Sequence, residues 1–272
     1  MTLFGRRCSV QVDRLLIEGL TVSFTIEMDV RNFGKAEIKI YNLNAEHRHQ
    51  LEKSASVDVE LSAGYLDHPL ERLCKTTLRD VYSEWTQPNW VTTLRTGDGD
   101  KASKIRISRA YSPEISMEKV WKDLLDKLKG SIDIGNAVEA FKKGGFANGV
   151  KELLHGGNVH GQVMDELRRI GAGAGLDVGI QDGALLVTPV GEPLATSAVV
   201  LSASTGLIGS PQPGAKKELK CRALILPGLR PKRKVEIKSE LVTGVYVVQK
   251  ARYTGNTAGN DWYADLTCKE IE

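Results

Sequence analysis

Period-two alternation recurs near both ends of this chain, and it constrains the fold more than any other feature. In the last third, Leu219, Cys221, Ala223 and Ile225 alternate with Lys220 and Arg222, the period of a half-buried strand. Gly/Pro loops bracket that strand: Thr205-Gly206-Leu207-Ile208-Gly209-Ser210-Pro211 before it and Leu226-Pro227-Gly228-Leu229-Arg230-Pro231 after it. Residues 245–253 and 262–271 then flank the Gly/Asn-rich run Thr254-Gly255-Asn256-Thr257-Ala258-Gly259-Asn260, a connection that predicts a closing antiparallel hairpin. Near the other end, Val22, Phe24, Ile26 and Met28 share one face, with Ser23, Thr25 and Glu27 on the other. Ile38 and Ile40 follow a turn at Gly34, and Val57, Val59 and Leu61 alternate with Asp58 and Glu60. Short alternating strands at this spacing predict an antiparallel barrel or sandwich. Asn44 is placed to cap a short helix over 45–53, which would cover an open sheet edge.

The middle changes period. Ser116 caps an amphipathic segment with Val120, Trp121, Leu124, Leu125 and Leu128 on one side and Gly130 as its stop. Residues 131–157 are interrupted by glycine and leave open one or two short helices or a mobile loop. Val163, Leu167 and Ile170 predict a further helix over 159–170, and Leu176, Val178 and Ile180 lead into an Asp182-Gly183 hairpin turn. The reading is an α+β chain: a β domain over 1–102, a helical α/β insert over 103–197 and a second β domain over 198–272. Residues 103–112 are also open to assignment as a strand of the second β domain.

At 272 residues, two or three compact units are expected. The net charge of +3, from 37 basic against 34 acidic residues, gives no strong push toward nucleic acid or membrane. Residues 1–12 lack the apolar core of a signal peptide and no run reaches membrane-spanning length, so a cytoplasmic protein without a membrane anchor is expected. Cys8, Cys74, Cys221 and Cys268 form no CxxC pair and read as buried thiols.

No chemistry-bearing motif stands out, and no catalytic, cofactor-binding or metal-ligating residue is expected. Gly171-Ala172-Gly173-Ala174-Gly175 follows a helix, whereas a phosphate loop must open one. Asp98 and Asp100 lack the downstream ligands of a calcium loop. His47 and His49 point to different helix faces, and His155 and His160 lack zinc-pair spacing. Glu114, Glu118, Asp123 and Asp126 could serve a hydrolase, but a solvated helix face explains them equally. Arg230, Lys232, Arg233 and Lys234 form a basic run without interleaved aromatics, so no specific nucleic-acid binding is expected.

The two β-rich ends share a faint echo: Asn89-Trp90 with Leu94 and Thr96, and Asp261-Trp262 with Leu266 and Cys268. Together with Ala36-Glu37-Ile38-Lys39-Ile40-Tyr41-Asn42-Leu43, Ser62-Ala63-Gly64-Tyr65, Asp98-Gly99, the two Gly/Pro loops and Asp261-Trp262-Tyr263, the chain resembles the baseplate hub proteins of contractile-tailed bacteriophages, relatives of the late-control D and tail-hub proteins. The resemblance implies a non-enzymatic homotrimer with two tube-like β-barrel domains per subunit. Such a ring would adapt a sixfold tail tube to a threefold central spike in the virion, after assembly in the host cytoplasm. Tape-measure and other baseplate proteins are further partners it implies. A tail-associated peptidoglycan hydrolase is the alternative. Two departures stand out: the strand Leu73-Cys74-Lys75-Thr76-Thr77-Leu78 lacks an expected glycine, and Lys232 stands where a turn glycine is common.

Overall fold

The computed structural model describes residues 5–30, 34–144, 152–153, 157–194, 196–214, 217–226 and 228–271. His155, Pro227 and much of the ambiguous stretch over 131–157 lie outside them.

The N-terminal third runs β1 (Arg6–Val12), β2 (Leu15–Glu18), β3 (Val22–Asp29), β4 (Lys35–Tyr41), α1 (Ala45–Glu52), β5 (Asp58–Tyr65), β6 (Glu71–Thr86) and β7 (Asn89–Gly97). The expected alternation is real: along β3, Val22, Phe24 and Ile26 are buried while Ser23, Thr25 and Glu27 are not. Asn44 caps α1, its side chain accepting from the His47 amide at 2.7 Å.

The middle third contains α2 (Asp100–Ser103), β8 (Arg106–Tyr111), β9 (Ile115–Ser116), α3 (Met117–Leu128), α4 (Ala137–Gly144), β10 (Glu152–Leu153), β11 (Gly157–Gln162), α5 (Val163–Gly173), β12 (Leu176–Gln181) and β13 (Ala184–Pro189). The last third contains β14 (Val199–Ser202), β15 (Leu207–Pro213), β16 (Glu218–Leu224), β17 (Lys234–Lys238), β18 (Thr243–Asn256) and β19 (Trp262–Glu270).

The protein is mostly β with a helical insert, and its strands build one large, almost wholly antiparallel sheet. Thirteen strands join in the order β15-β16-β19-β18-β3-β4-β7-β6-β5-β1-β2, with β17 added to β18 and β14 running parallel to β17. No closing pair between β2 and β15 is found among the described residues, so the ladder is open rather than a closed barrel. Its centre joins sequence ends more than 200 residues apart. β3 pairs with β18 from Ser23↔Asn256 to Asp29↔Lys250, and Lys250 meets Asp29 at 3.1 Å. Both β-rich ends therefore contribute to one core, running from Val10 and Phe24 to Trp262 and Cys268.

Two compact units result: residues 1–29, 34–98 and 193–272 form the first, and 30–33 with 99–192 form the second. The second unit has its own core, in which Trp121 and Phe141 stack at 4.3 Å and the Trp121 indole N–H donates to the Ala137 carbonyl. Ser116 caps α3 as its sequence predicts, accepting from the Lys119 amide. Asp182 and Gly183 both take positive φ, 54° and 77°, and close the β12–β13 hairpin in the expected two-residue turn.

Besides the two β-barrels expected, in whose place one open sheet is found, two further expectations are corrected. The helix expected over 159–170 begins only at Val163, because residues 157–162 are strand β11, paired with β8. For the same reason 103–112 supply no strand to the large sheet: β8 belongs to that separate two-stranded ribbon. Elsewhere Lys232 holds φ at 66°, the left-handed conformation that glycine adopts without strain, and its side chain is only 1% exposed.

All four cysteines are buried and none forms a disulfide. Burial pushes the Cys8 thiol up to about 12; the hydrogen bond with Cys221, and then burial, raise Cys268, while the same bond lowers Cys221. Since a reagent must reach the sulfur and all four are buried, a thiol reagent at neutral pH is expected to titrate none of the four in the native protein and all four after unfolding.

Candidate assembly surface

An open sheet leaves strands whose backbone groups lack partners, and here each end of the ladder carries an exposed aliphatic side chain. β2 is four residues long with Leu16 56% exposed, and β15 carries Ile208 at 40%. β15 is partly blunted by Pro211, Pro213 and a register irregularity between Ile208 and Gln212, devices that discourage indiscriminate edge pairing.

A third feature is the far end of β6. β5 pairs with it only as far as Asp58↔Thr77, whereas β7 follows it to Thr86↔Asn89. The last residues of β6 therefore run as a two-stranded ribbon, closed by a turn with a cis Gln87–Pro88 bond. Trp85 and Trp90 face each other across it at 5.7 Å, 53% and 38% exposed. The Arg48 guanidinium lies 4.3 Å over Trp90 and is held by the Leu43 carbonyl.

Asn42 ties the ribbon down. It takes φ 58°, a conformation asparagine tolerates well. Its side chain donates to Asn89 Oδ1 at 2.8 Å and accepts from the Trp90 amide at 3.1 Å. Exposed, adjacent tryptophans on a fixed ribbon are characteristic of protein-contact surfaces. Their side-by-side placement comes from strand register, which the sequence alone did not disclose.

The echo partner of Trp90 lies in a different environment. Trp262 is 2% exposed and packs edge-on against Phe24 at 5.7 Å and Tyr65 at 6.4 Å. The shared residues mark equivalent strand positions without equivalent burial.

The residues considered for catalysis are not assembled into a cleft. Glu118 pairs with Lys122 and Asp126 with Lys129, each along α3, and these lysines hold both carboxyls below the usual range. Asp123 is buried between Arg109 at 3.0 Å and Lys119 at 2.9 Å, and Glu114 sits in the turn before the helix with φ 62°. Among the described residues no three His, Cys, Asp or Glu side chains are grouped to hold a metal ion. His47 and His49 lie on α1, where His49 approaches Glu52, and His160 is exposed on β11. The basic run is dispersed: Lys232 is buried, and Arg230 turns to the Arg72 carbonyl. No helix among the described residues is long and apolar enough to cross a membrane.

The fold is similar to those of solved phage tail proteins and of a type VI secretion component. The chain is similar to the tail protein from Neisseria meningitidis MC58, with a TM-score of 0.65 at 10% identity, covering 98% of this chain and 97% of that one. It is similar to the 43 kDa tail protein of prophage MuSo2 from Shewanella oneidensis, at 0.65 and 8% identity, with 98% of each chain covered. The E. coli c3393 protein, a type VI secretion component described as similar to the T4 tail proteins gp27 and gp5, matches at 0.63 and 8% identity over 97% of this chain and 77% of that one. No family profile and no curated sequence matches the chain.

Proposed function

We propose that this protein is a non-catalytic structural hub of a contractile phage tail or a closely related injection apparatus. Three copies form a ring that joins the sixfold tail tube to the threefold central spike. Each copy supplies two tube-like β modules, 1–102 and 198–272, which share one sheet and become complete only against neighbouring copies. The residues 103–197 form the insert. Six modules from three chains meet the tube's symmetry on one face, and the threefold spike docks on the other. The hub belongs to the baseplate of the virion and assembles in the host cytoplasm, with tape-measure and other baseplate proteins as further neighbours.

The observation that carries this reading is the open ladder ending in β2 and β15. Both ends are edge strands bearing exposed aliphatics, Leu16 and Ile208, and a head-to-tail contact between unlike edges closes into a ring when its rotation divides the full turn. An obligate interface of this kind buries on the order of 2,000 Å² or more. Light scattering at micromolar concentration is expected to give three times the chain mass of 29.8 kDa, and electron images a three-membered ring. Leu16→Asp combined with Ile208→Asp is expected to yield a folded monomer, because both side chains are exposed in the single chain. A wild-type protein that remains monomeric under these conditions, with or without tube protein, would overturn the ring.

A further inference from the structure

The turn between β17 and β18 carries the most exposed large apolar side chain among the described residues, Leu241 at 75%. Glu240 stands beside it and is exposed too. The turn itself is pinned. The Ser239 amide donates to the Val242 carbonyl at 3.0 Å, the Val242 amide donates to Ser239 Oγ at 3.0 Å, and the Thr243 hydroxyl reaches the Ser239 carbonyl at 3.4 Å. Glu240 and Leu241 are its two corner residues. Lys238, two residues back, is taken by Glu236 at 3.0 Å, and among the described residues Glu240 has no ion pair.

The β6–β7 ribbon carries the complementary chemistry. The planes of Trp85 and Trp90 are tilted by 60° and form an open, half-exposed wedge. Arg48, stacked on Trp90, makes a single hydrogen bond, to the Leu43 carbonyl at 2.7 Å, whereas a guanidinium has five N–H donors. Among the described residues no carboxylate pairs with Arg48; Glu52, one turn along α1, approaches His49 instead. Tryptophan and arginine are the side chains that most often dominate contacts between proteins.

The two features cannot meet within one chain. Register places Val91 beside Tyr41, Ile40 beside Val22 and Ser23 beside Asn256. The wedge therefore adjoins the far end of β18, whose first residue, Thr243, borders the turn. The 14 residues of that strand span roughly 40 Å.

We propose that the wedge of one copy receives the 239–242 turn of a second copy. Leu241 enters between Trp85 and Trp90, and the Glu240 carboxylate pairs with the Arg48 guanidinium. Charge complements charge, apolar corner fills apolar wedge, and a carboxylate is the acceptor that a guanidinium fork binds best. Unlike patches at opposite ends of a strand make a head-to-tail contact, separate from the β2 and β15 edges. The inference rests on the proposed ring for its second copy and adds the residues where copies touch.

Light scattering over a dilution series of the full chain tests this, with circular dichroism as the check on folding. Arg48→Glu and Glu240→Arg are each expected to raise the concentration needed for association about tenfold, and the two together to return it to within about threefold of wild type. Leu241→Ser is expected to weaken association about tenfold as well. Arg48 also touches Trp90, so Glu240→Arg, confined to an exposed turn, is the decisive single change. A chain carrying both Leu241→Cys and Thr86→Cys, treated with a short bismaleimide, is expected to give covalently linked copies. Neither single cysteine variant is expected to do so, because the native thiols are buried. Trimers that form as readily in Glu240→Arg as in wild type, or a double exchange that fails to restore association, would overturn this contact and leave the ring standing. Unchanged self-association with lost binding of tube or spike protein would also overturn it and assign the wedge to that partner. A wild-type chain that stays monomeric overturns the contact and the ring together.

Discussion

Trp262→Ala is expected to destabilise the protein by about 4 kcal/mol, the usual scale for emptying a buried aromatic site, while Trp90→Ala costs about 1 kcal/mol or less. The two tryptophans share a local sequence pattern, so composition alone would rank them equally. Burial separates them. Trp262 is enclosed by Phe24, Tyr65 and Arg6 at the point where β3, β18 and β19 come together. Removing it leaves a cavity at the joint between the two ends of the chain. Trp90 loses contacts with Trp85 and Arg48 at the end of a ribbon bordered by solvent, where an exposed cation–π contact contributes about 0.5–1 kcal/mol. Urea unfolding followed by circular dichroism checks both values. Under the proposed function the Trp90 variant has its effect elsewhere, lowering association with neighbouring tail components while leaving the fold intact. Equal destabilisation by the two changes would show that the β6–β7 ribbon is part of the core.

Gly255→Val is expected to cost about 2–3 kcal/mol, although valine favours strands and glycine does not. Gly255 lies opposite Phe24 in the β3–β18 register, and the Phe24 ring rests directly on its backbone, where any Cβ would fall inside the ring's van der Waals radius. The ring covers the gap that a glycine leaves within a sheet. A side chain at 255 must displace that ring, which in turn packs against Trp262. Phe24→Ala alone should also destabilise, by about 3 kcal/mol or more. Combining the two removes the clash along with its cause. The double variant is therefore expected to be at least about 1 kcal/mol more stable than the sum of the single effects predicts, the signature of direct contact. Strict additivity would mean that the Phe24 ring does not rest on Gly255.

Much of this architecture is local and therefore readable along the chain. The buried alternation of Val22, Phe24 and Ile26, the caps at Asn44 and Ser116, and the Asp182-Gly183 turn depend on side-chain period, short capping groups and permitted φ values. Each acts within a few residues. A helix start was misplaced for an identifiable reason: the stripe of Val163, Leu167 and Ile170 extends back to Val159 by pattern alone, but Val159 lies in a strand held by β8, a partner some fifty residues away. The ion pairs along α3 and the burial of Lys232 depend on packing and could not be read along the chain. The junction of β3 with β18, the exposure of Trp90 against the burial of Trp262, and the convergence of Arg6, Tyr65 and Trp262 join residues up to 256 positions apart. The sequence by itself determined most of the strands and helices and their apolar faces, because those preferences reside in single residues and their near neighbours. Only the tertiary structure decided which strands meet, since strand pairing is fixed by a shared core whose members have no proximity along the chain.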